Sequence, residues 1–238
     1  METLTPADAA AASDAVEVDL AVSSVRELNA ALHTAPSGSS WTVTHAQGRH
    51  SIACGLDVEL TVDIDGHVGY YCAGMNQRAT VTVAGSAGVG VAENMMSGLV
   101  RVTGDASQSA GATGHGGLLV IGGNAAARCG ISMKGIDIVV GGNVGHMSAF
   151  MGQAGRLVVC GDAGEALGDS LYETRIYVRG SVKSCGADCV EKPMRDEHLT
   201  ELAELLHAAE LDLDPAAFRR YGSARTLYNF HVDNAGAY

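Results

Sequence analysis

Between residues 60 and 182 the aliphatic residues come in pairs spaced two apart, and each pair is closed by a glycine. The pairs are Val62 and Ile64, Val81 and Val83, Val100 and Val102, Leu119 and Ile121, Ile138 and Val140, Leu157 and Val159, Ile176 and Val178. The closing glycines are Gly66, Gly85, Gly104, Gly123, Gly142, Gly161 and Gly180, each 19 residues from the next. A polar residue or histidine follows each glycine: His67, Ser86, Asp105, Asn124, Asn143, Asp162, Ser181. After it stands a small or β-branched residue: Val68, Ala87, Ala106, Ala125, Val144, Ala163, Val182. Apolar residues two apart share one face of a strand. A glycine followed by Asp, Asn or Ser is turn chemistry, because glycine reaches positive φ without steric cost. Each repeat therefore predicts a short strand and a corner, then chain that returns to its start. Stacking places each aliphatic pair on its counterpart in the next coil. The expected fold is all-β: a parallel β-helix of about seven 19-residue coils around one continuous core.

Small residues recur three and seven positions after the lead glycine, as in Gly161, Gly164 and Gly168. The seventh repeat departs, with Lys183 and Ala187. Small side chains at fixed depth imply close approach between coils.

The flanks carry other signals. Residues 1–15 are read as a mobile leader and 16–59 as an N-terminal cap, with 60–190 the β-helix and 191–238 a helical tail. In the cap, Val16 to Leu20 alternates like a strand. Ser24 with Glu27 is a capping box opening a helix through Leu32. Pro36 to Ser40 reads as a loop, and Trp41, Val43, Ile52, Cys54, Leu56 and Val58 as strands leading into the first coil. In the tail, Leu199, Leu202, Leu205, Leu206 and Ala209 share one helical face. Asp214-Pro215 predicts the start of a second short helix. The segment from Phe218, Arg219, Arg220 and Tyr221 to Tyr228 and Phe230 has two readings: its rings pack on the solenoid, or they dock into a partner.

Composition narrows the class. The 238 residues include 31 glycines, about twice the usual share, with only 4 prolines, which excludes collagen. The net charge of −12 argues against nucleic acid and anionic membrane as partners. No apolar run reaches the ~20 residues of a membrane span. The N-terminus lacks the basic start and apolar stretch of a secretory signal, so a cytoplasmic location is expected, with the six cysteines as free thiols.

The recurring Gly-xx-Gly-xxx-Gly on aliphatic strands resembles the C-terminal domain of the glutamate synthase large subunit. The likeness is strong over residues 50–190 and looser through Arg219-Arg220-Tyr221-Gly222 to Phe230. It implies a right-handed β-helix that binds no flavin and performs no chemistry, holding catalytic domains together. This chain is similar to the separate subunit that carries that domain alone. The resemblance implies two partners: a class II glutamine amidotransferase-like subunit, and a glutamate-synthase-like subunit with FMN and an iron–sulfur cluster. N-methylglutamate synthase is such an assembly. The β-helix subunit of formylmethanofuran dehydrogenase, and the matching subunit of the formyltransferase/hydrolase complex, share the repeat and form the alternative. The tail favours the first.

A stand-alone carbohydrate-active enzyme on a β-helix is the competing class. It needs acids aligned across several coils beside a cleft. Asp63 and Asp65 share a strand, and Asp162, Glu165 and Asp169 share a coil. The positions matching Asp63 in the other coils are Thr82, Arg101, Val120, Val139, Val158 and Tyr177, so no acidic column forms. His115 and His146 are the candidate bases. Cys72 and Cys129 share a column three coils apart, too far for a disulfide. Cys185 and Cys189 alone make an incomplete metal site. Gly85-Ser-Ala-Gly-Val-Gly imitates a dinucleotide loop, but the same glycines recur in every coil. No catalytic, cofactor or metal residue is assigned to this chain.

Overall fold

The computed structural model describes residues 15–226. In chain order the elements are β1 (Val16–Asp19), α1 (Val25–His33), β2 (Ser40–Thr44), β3 (Thr61–Asp65), β4 (Thr80–Ala84), β5 (Leu99–Val102) and β6 (Leu118–Ile121). They continue with β7 (Lys134–Val140), β8 (Ala154–Val159), β9 (Arg175–Val178), β10 (Cys189–Lys192), α2 (Asp196–Ala208), a 3-10 turn (Pro215–Ala217) and β11 (Arg219–Ser223). All strands join one sheet, ordered β1 through β9 and then β11 and β10. β1 to β9 pair in parallel as a solenoid, while β11 pairs antiparallel with both β9 and β10.

The register is the one the repeat dictates. Val62, Val81, Val100, Leu119, Ile138, Leu157 and Ile176 are successive ladder partners, and so are Ile64 through Val178. Both columns are buried, at 0–1% exposure. They form a single core with the small column Val68, Ala87, Ala106, Ala125, Val144 and Ala163, whose residues bridge from coil to coil on the opposite side of the corner. The cap belongs to the same sheet: Trp41 pairs with Val62 and Val43 with Ile64, and Val16 and Val18 pair with Trp41 and Val43. The capping box of α1 forms as expected, with Ser24 and Glu27 each serving the other's backbone N–H.

Three expectations are corrected. Residues 52–58 form no strand. Ile52 and Leu56 are buried, but the segment turns through positive φ at Ser51, Ala53 and Gly55 and serves as the bend of the entry coil. The tail is not helical throughout: it holds β10 and β11, and the element after Asp214 is a single 3-10 turn capped by the Asp214 side chain. Left-handed backbone is not where the lead glycines stand. Of those seven only Gly66 has positive φ, at +95°.

Positive φ falls instead on alternate residues of the returning bend. The triples are Tyr71, Ala73 and Met75; Gly90, Ala92 and Asn94; Ser109, Gly111 and Thr113; Arg128, Gly130 and Ser132; Met147, Ala149 and Met151; Ala166, Gly168 and Ser170. Their φ values run from +52° to +72°. Most are not glycine, and each such residue costs about 1–2 kcal/mol. Hydrogen bonds between coils hold them there: the Ala92 N–H donates back to Cys72 and the Asn94 N–H forward to Ala112, both at 2.9 Å. A β-branched residue tolerates this backbone least. Arg128→Val is therefore expected to destabilise by about 1–2 kcal/mol, and Arg128→Gly is expected not to. A melting temperature unchanged by Arg128→Val would refute the strain.

Candidate functional site

Two features stand out: the corner that carries the lead glycines, and the closure of the C-terminal end.

The lead glycines stack in van der Waals contact with one another. A Cβ on Gly85 would lie 2.7 Å from the Gly66 carbonyl carbon, and one on Gly123 would lie 2.3 Å from Asp105 Oδ1 and 3.0 Å from the Gly104 backbone. The polar residue after each glycine uses this closeness. The Ser86 N–H donates to His67 Nδ1 (2.9 Å), the Asp105 N–H to Ser86 Oγ (3.2 Å), and the Asn124 N–H to Asp105 Oδ1 (2.7 Å). The series goes on through Asn143 to Asn124 Oδ1 (2.9 Å), Asp162 to Asn143 Oδ1 (2.7 Å) and Ser181 to Asp162 Oδ1 (2.6 Å). Seven successive coils are thus linked by six side-chain acceptors along one exposed edge. The sequence pattern marked these residues as turn formers; their role between coils follows only from the register.

The Ser181 backbone N–H, and then its hydroxyl, hold the Asp162 carboxyl below its ordinary value of 3.8. A depressed carboxyl contributes stability above its unfolded value that is lost as pH falls through the folded one. Asp162→Asn keeps an acceptor oxygen at this step, as Asn124 and Asn143 already do. It is expected to flatten the acid limb of the stability curve below about pH 4. An acid limb identical to that of the parent chain would refute the coupling.

At the C-terminal end, β11 slots beside β9, with Tyr221 opposite Ile176. Tyr221 is buried in the main core. Helix α2 lies across the outer face of the sheet. Leu202, Leu205, Leu206 and Ala209 pack there on Val120, Val139, Val158 and Tyr177, and Phe218 completes the cluster. The chain's own helix thus covers these outward positions. Arg101, on the same face of β5, donates to the carbonyls of Ala208 (2.6 Å) and Ala209 (3.3 Å) at the end of α2 and pairs with Glu210 at 3.0 Å. A cation at a helix C-terminus satisfies its free carbonyls and opposes its dipole. Glu201, midway along α2, accepts from the Tyr177 hydroxyl and pairs with Arg175 (3.2 Å) and Arg156 (3.7 Å). Arg156 also forms a two-pronged pair with Asp137.

Of the docking candidates, Phe218 and Tyr221 are therefore buried within the chain, at 4% and 3% exposure. Arg219 donates to the Gly180 carbonyl and Arg220 to the Pro193 carbonyl. Tyr228 and Phe230 lie outside the described residues, as does the leader through residue 14.

The other candidates are dispersed. Asp63 and Asp65 are exposed on β3, and Glu165 pairs with Lys183 at 2.8 Å. Asp169 holds Ser170 and the Ala187 N–H. His115 and His146 stand in the connecting segments of different coils. All six cysteines are free; Cys185 is exposed and Cys54 half-buried, the other four buried. Burial pushes the Cys129 thiol up to about 12 and Cys160 to about 11, so both stay neutral and pack as apolar groups. Among the described residues no three His, Cys, Asp or Glu side chains gather to hold a metal, and no helix is long and apolar enough to cross a membrane.

The fold and its closure define the class: a parallel β-helix with its own helix packed across the outer sheet face and a returning strand beside β9. No family model matches the sequence, and no solved structure matches it. The chain is 66% identical over 225 residues to "Protein GlxC" of Rhizobium meliloti (strain 1021), covering 93% of this chain and 99% of that protein. The chain belongs to the GlxC family.

Proposed function

We propose that this chain is a non-catalytic scaffold subunit of a glutamate-synthase-like oxidoreductase of the N-methylglutamate synthase kind. It holds a class II glutamine amidotransferase-like subunit and a second subunit bearing FMN and an iron–sulfur cluster. The observation that carries the reading is the unbroken register of seven 19-residue coils in a family whose relative is matched over nearly its whole length. The rod these coils make is about 30 Å long at ~4.8 Å per coil. Its coils are tied by backbone ladders, the corner acceptors and one core, so it deforms little. A rigid spacer fixes the distance and orientation of two active sites between which ammonia or an amine must pass. Large apolar side chains left exposed on the early coils, Tyr70, Tyr71, Met75 and Met96, have the composition of contact surfaces.

Affinity purification of the tagged chain from its native host tests this. The expected eluate is yellow-brown, with an amidotransferase and a flavin–iron–sulfur chain in fixed ratio. A colourless chain recovered alone would overturn the reading. Co-purification with a formyltransferase would place the rod in the other assembly.

A further inference from the structure

At the closed end of the solenoid, where β9, β10 and β11 meet the start of α2, lies an open cleft of about 460 Å³. That is the size of a small-molecule site, roughly 300–1,000 Å³. Its lining is unlike the rest of the molecule. Arg175, Lys192, Arg195, Arg220 and Arg225 all border it, and Glu173 is its one acidic lining residue. Five of the chain's 15 lysines and arginines thus converge on one cleft of a protein whose net charge is −12.

Among the described residues, ion pairs do not neutralise this cluster. Glu173 takes Arg225 at 2.8 and 2.9 Å, Glu201 takes Arg175 at 3.2 Å, and Glu197 reaches Arg195 at 3.5 Å. Among the described residues, three carboxylates face five cations. Arg220 donates its Nε–H to the neutral Pro193 carbonyl at 3.1 Å, and Lys192 has no ion pair among the described residues. Burial weakens the hold of Arg220 on its proton; Tyr177 and Glu201 oppose that, while the charges of Arg195 and Arg175 reinforce it. Like charges brought together on a rigid frame cost energy that a bound anion repays. The frame here is rigid: Lys192 and Arg220 are ladder partners on β10 and β11, and Arg220 is also the partner of Tyr177 on β9.

We propose that this cleft binds a small ligand carrying two or more anionic oxygens, a phosphate or a polycarboxylate. This goes beyond the scaffold reading and stands without it. It makes the end of the rod a ligand site on the face where the sheet is closed by the chain itself.

Titration calorimetry on the full chain at constant ionic strength tests the proposal, with pyrophosphate as one probe and citrate as the other. One probe at least should bind saturably at one site per chain, and the tighter one identifies the source. Lys192→Glu should weaken that binding about tenfold or more, the loss of one charge-assisted contact. Lys134→Glu, an exposed reversal on β7, should change it less than about twofold. Arg220→Gln should act like Lys192→Glu; should loss of its bond to Pro193 prevent folding, Lys192→Glu decides alone. Saturable binding of neither probe would overturn the proposal. So would equal losses from Lys192→Glu and Lys134→Glu, which would mark a general charge effect. Binding seen only after the chain is cut behind Thr226 would also overturn it, by showing that the chain's own C-terminus fills the cleft.

Discussion

Gly123→Val is expected to lower the melting temperature by about 10 °C, the effect of roughly 3 kcal/mol on a chain of this size. The cause is space rather than backbone conformation. The added Cβ would meet Asp105 Oδ1 at 2.3 Å and the Gly104 backbone at 3.0 Å. The side-chain oxygen can give way only by releasing the Asn124 N–H, and the backbone beneath belongs to the preceding coil's own corner. Gly123→Ala should therefore cost nearly as much as valine. Gly66→Ala is the control. Nothing lies within 4 Å of its Cβ position, but its φ is +95°. It should cost only about 1 kcal/mol, for conformation. If Gly66→Ala proved the more damaging of the two, stacked close approach would not be what the repeat's glycines provide.

Val139→Asp is expected to lift α2 from the sheet. Val139 is fully buried beneath Leu202, Leu205 and Leu206. A carboxylate there has no cation opposite it in the apolar cluster, and an unpaired buried charge costs on the order of 3–5 kcal/mol. The helix can escape that cost by leaving, because Arg101, Glu201 and the apolar stripe are its main attachments. Hydrogen exchange should show residues 196–208 losing protection by at least about a hundredfold, with the columns at Val81 and Val100 still protected. Uniform loss along the whole rod would mean that α2 and the solenoid unfold as one unit. Unchanged protection of α2 would mean that the cluster does not hold it.

The coil was legible in the sequence because every link in it recurs. The pairs from Val62–Ile64 through Ile176–Val178 carried strand, face and register together, since a 19-residue period leaves one way to align coils. What a single repeat cannot show was misread. Residues such as Tyr71, Arg128 and Met151 carry left-handed backbone without being glycine, and only the hydrogen bonds of neighbouring coils impose it. Arg219 to Ser223 has no alternation that marks a strand; it becomes one because β9 would otherwise end the sheet with an open edge. The repeat does not show what covers Val120, Val139 and Val158, because the helix packed on them lies some 40 to 80 residues further along the chain. The cationic cleft is invisible for the same reason: its lysine and arginines come from three strands, a helix start and the segment after β11. The pair Arg219-Arg220 was noticed in sequence, but not the charges that gather around it.

The corner ladder is directional. In every step the side chain of one coil accepts from the backbone of the coil that follows it, never the reverse. A coil's acceptor is thus complete before its donor exists, if the chain is made from its N-terminus. Each finished turn offers the next an oriented hook at the one point where the path must change direction. Synthesis and winding can then proceed in the same order, one turn at a time, and the stretch awaiting its partner is never longer than about one coil. For a rod whose contacts nearly all join residues one turn apart, growth on the ribosome would resemble extension of a template rather than collapse of a finished chain.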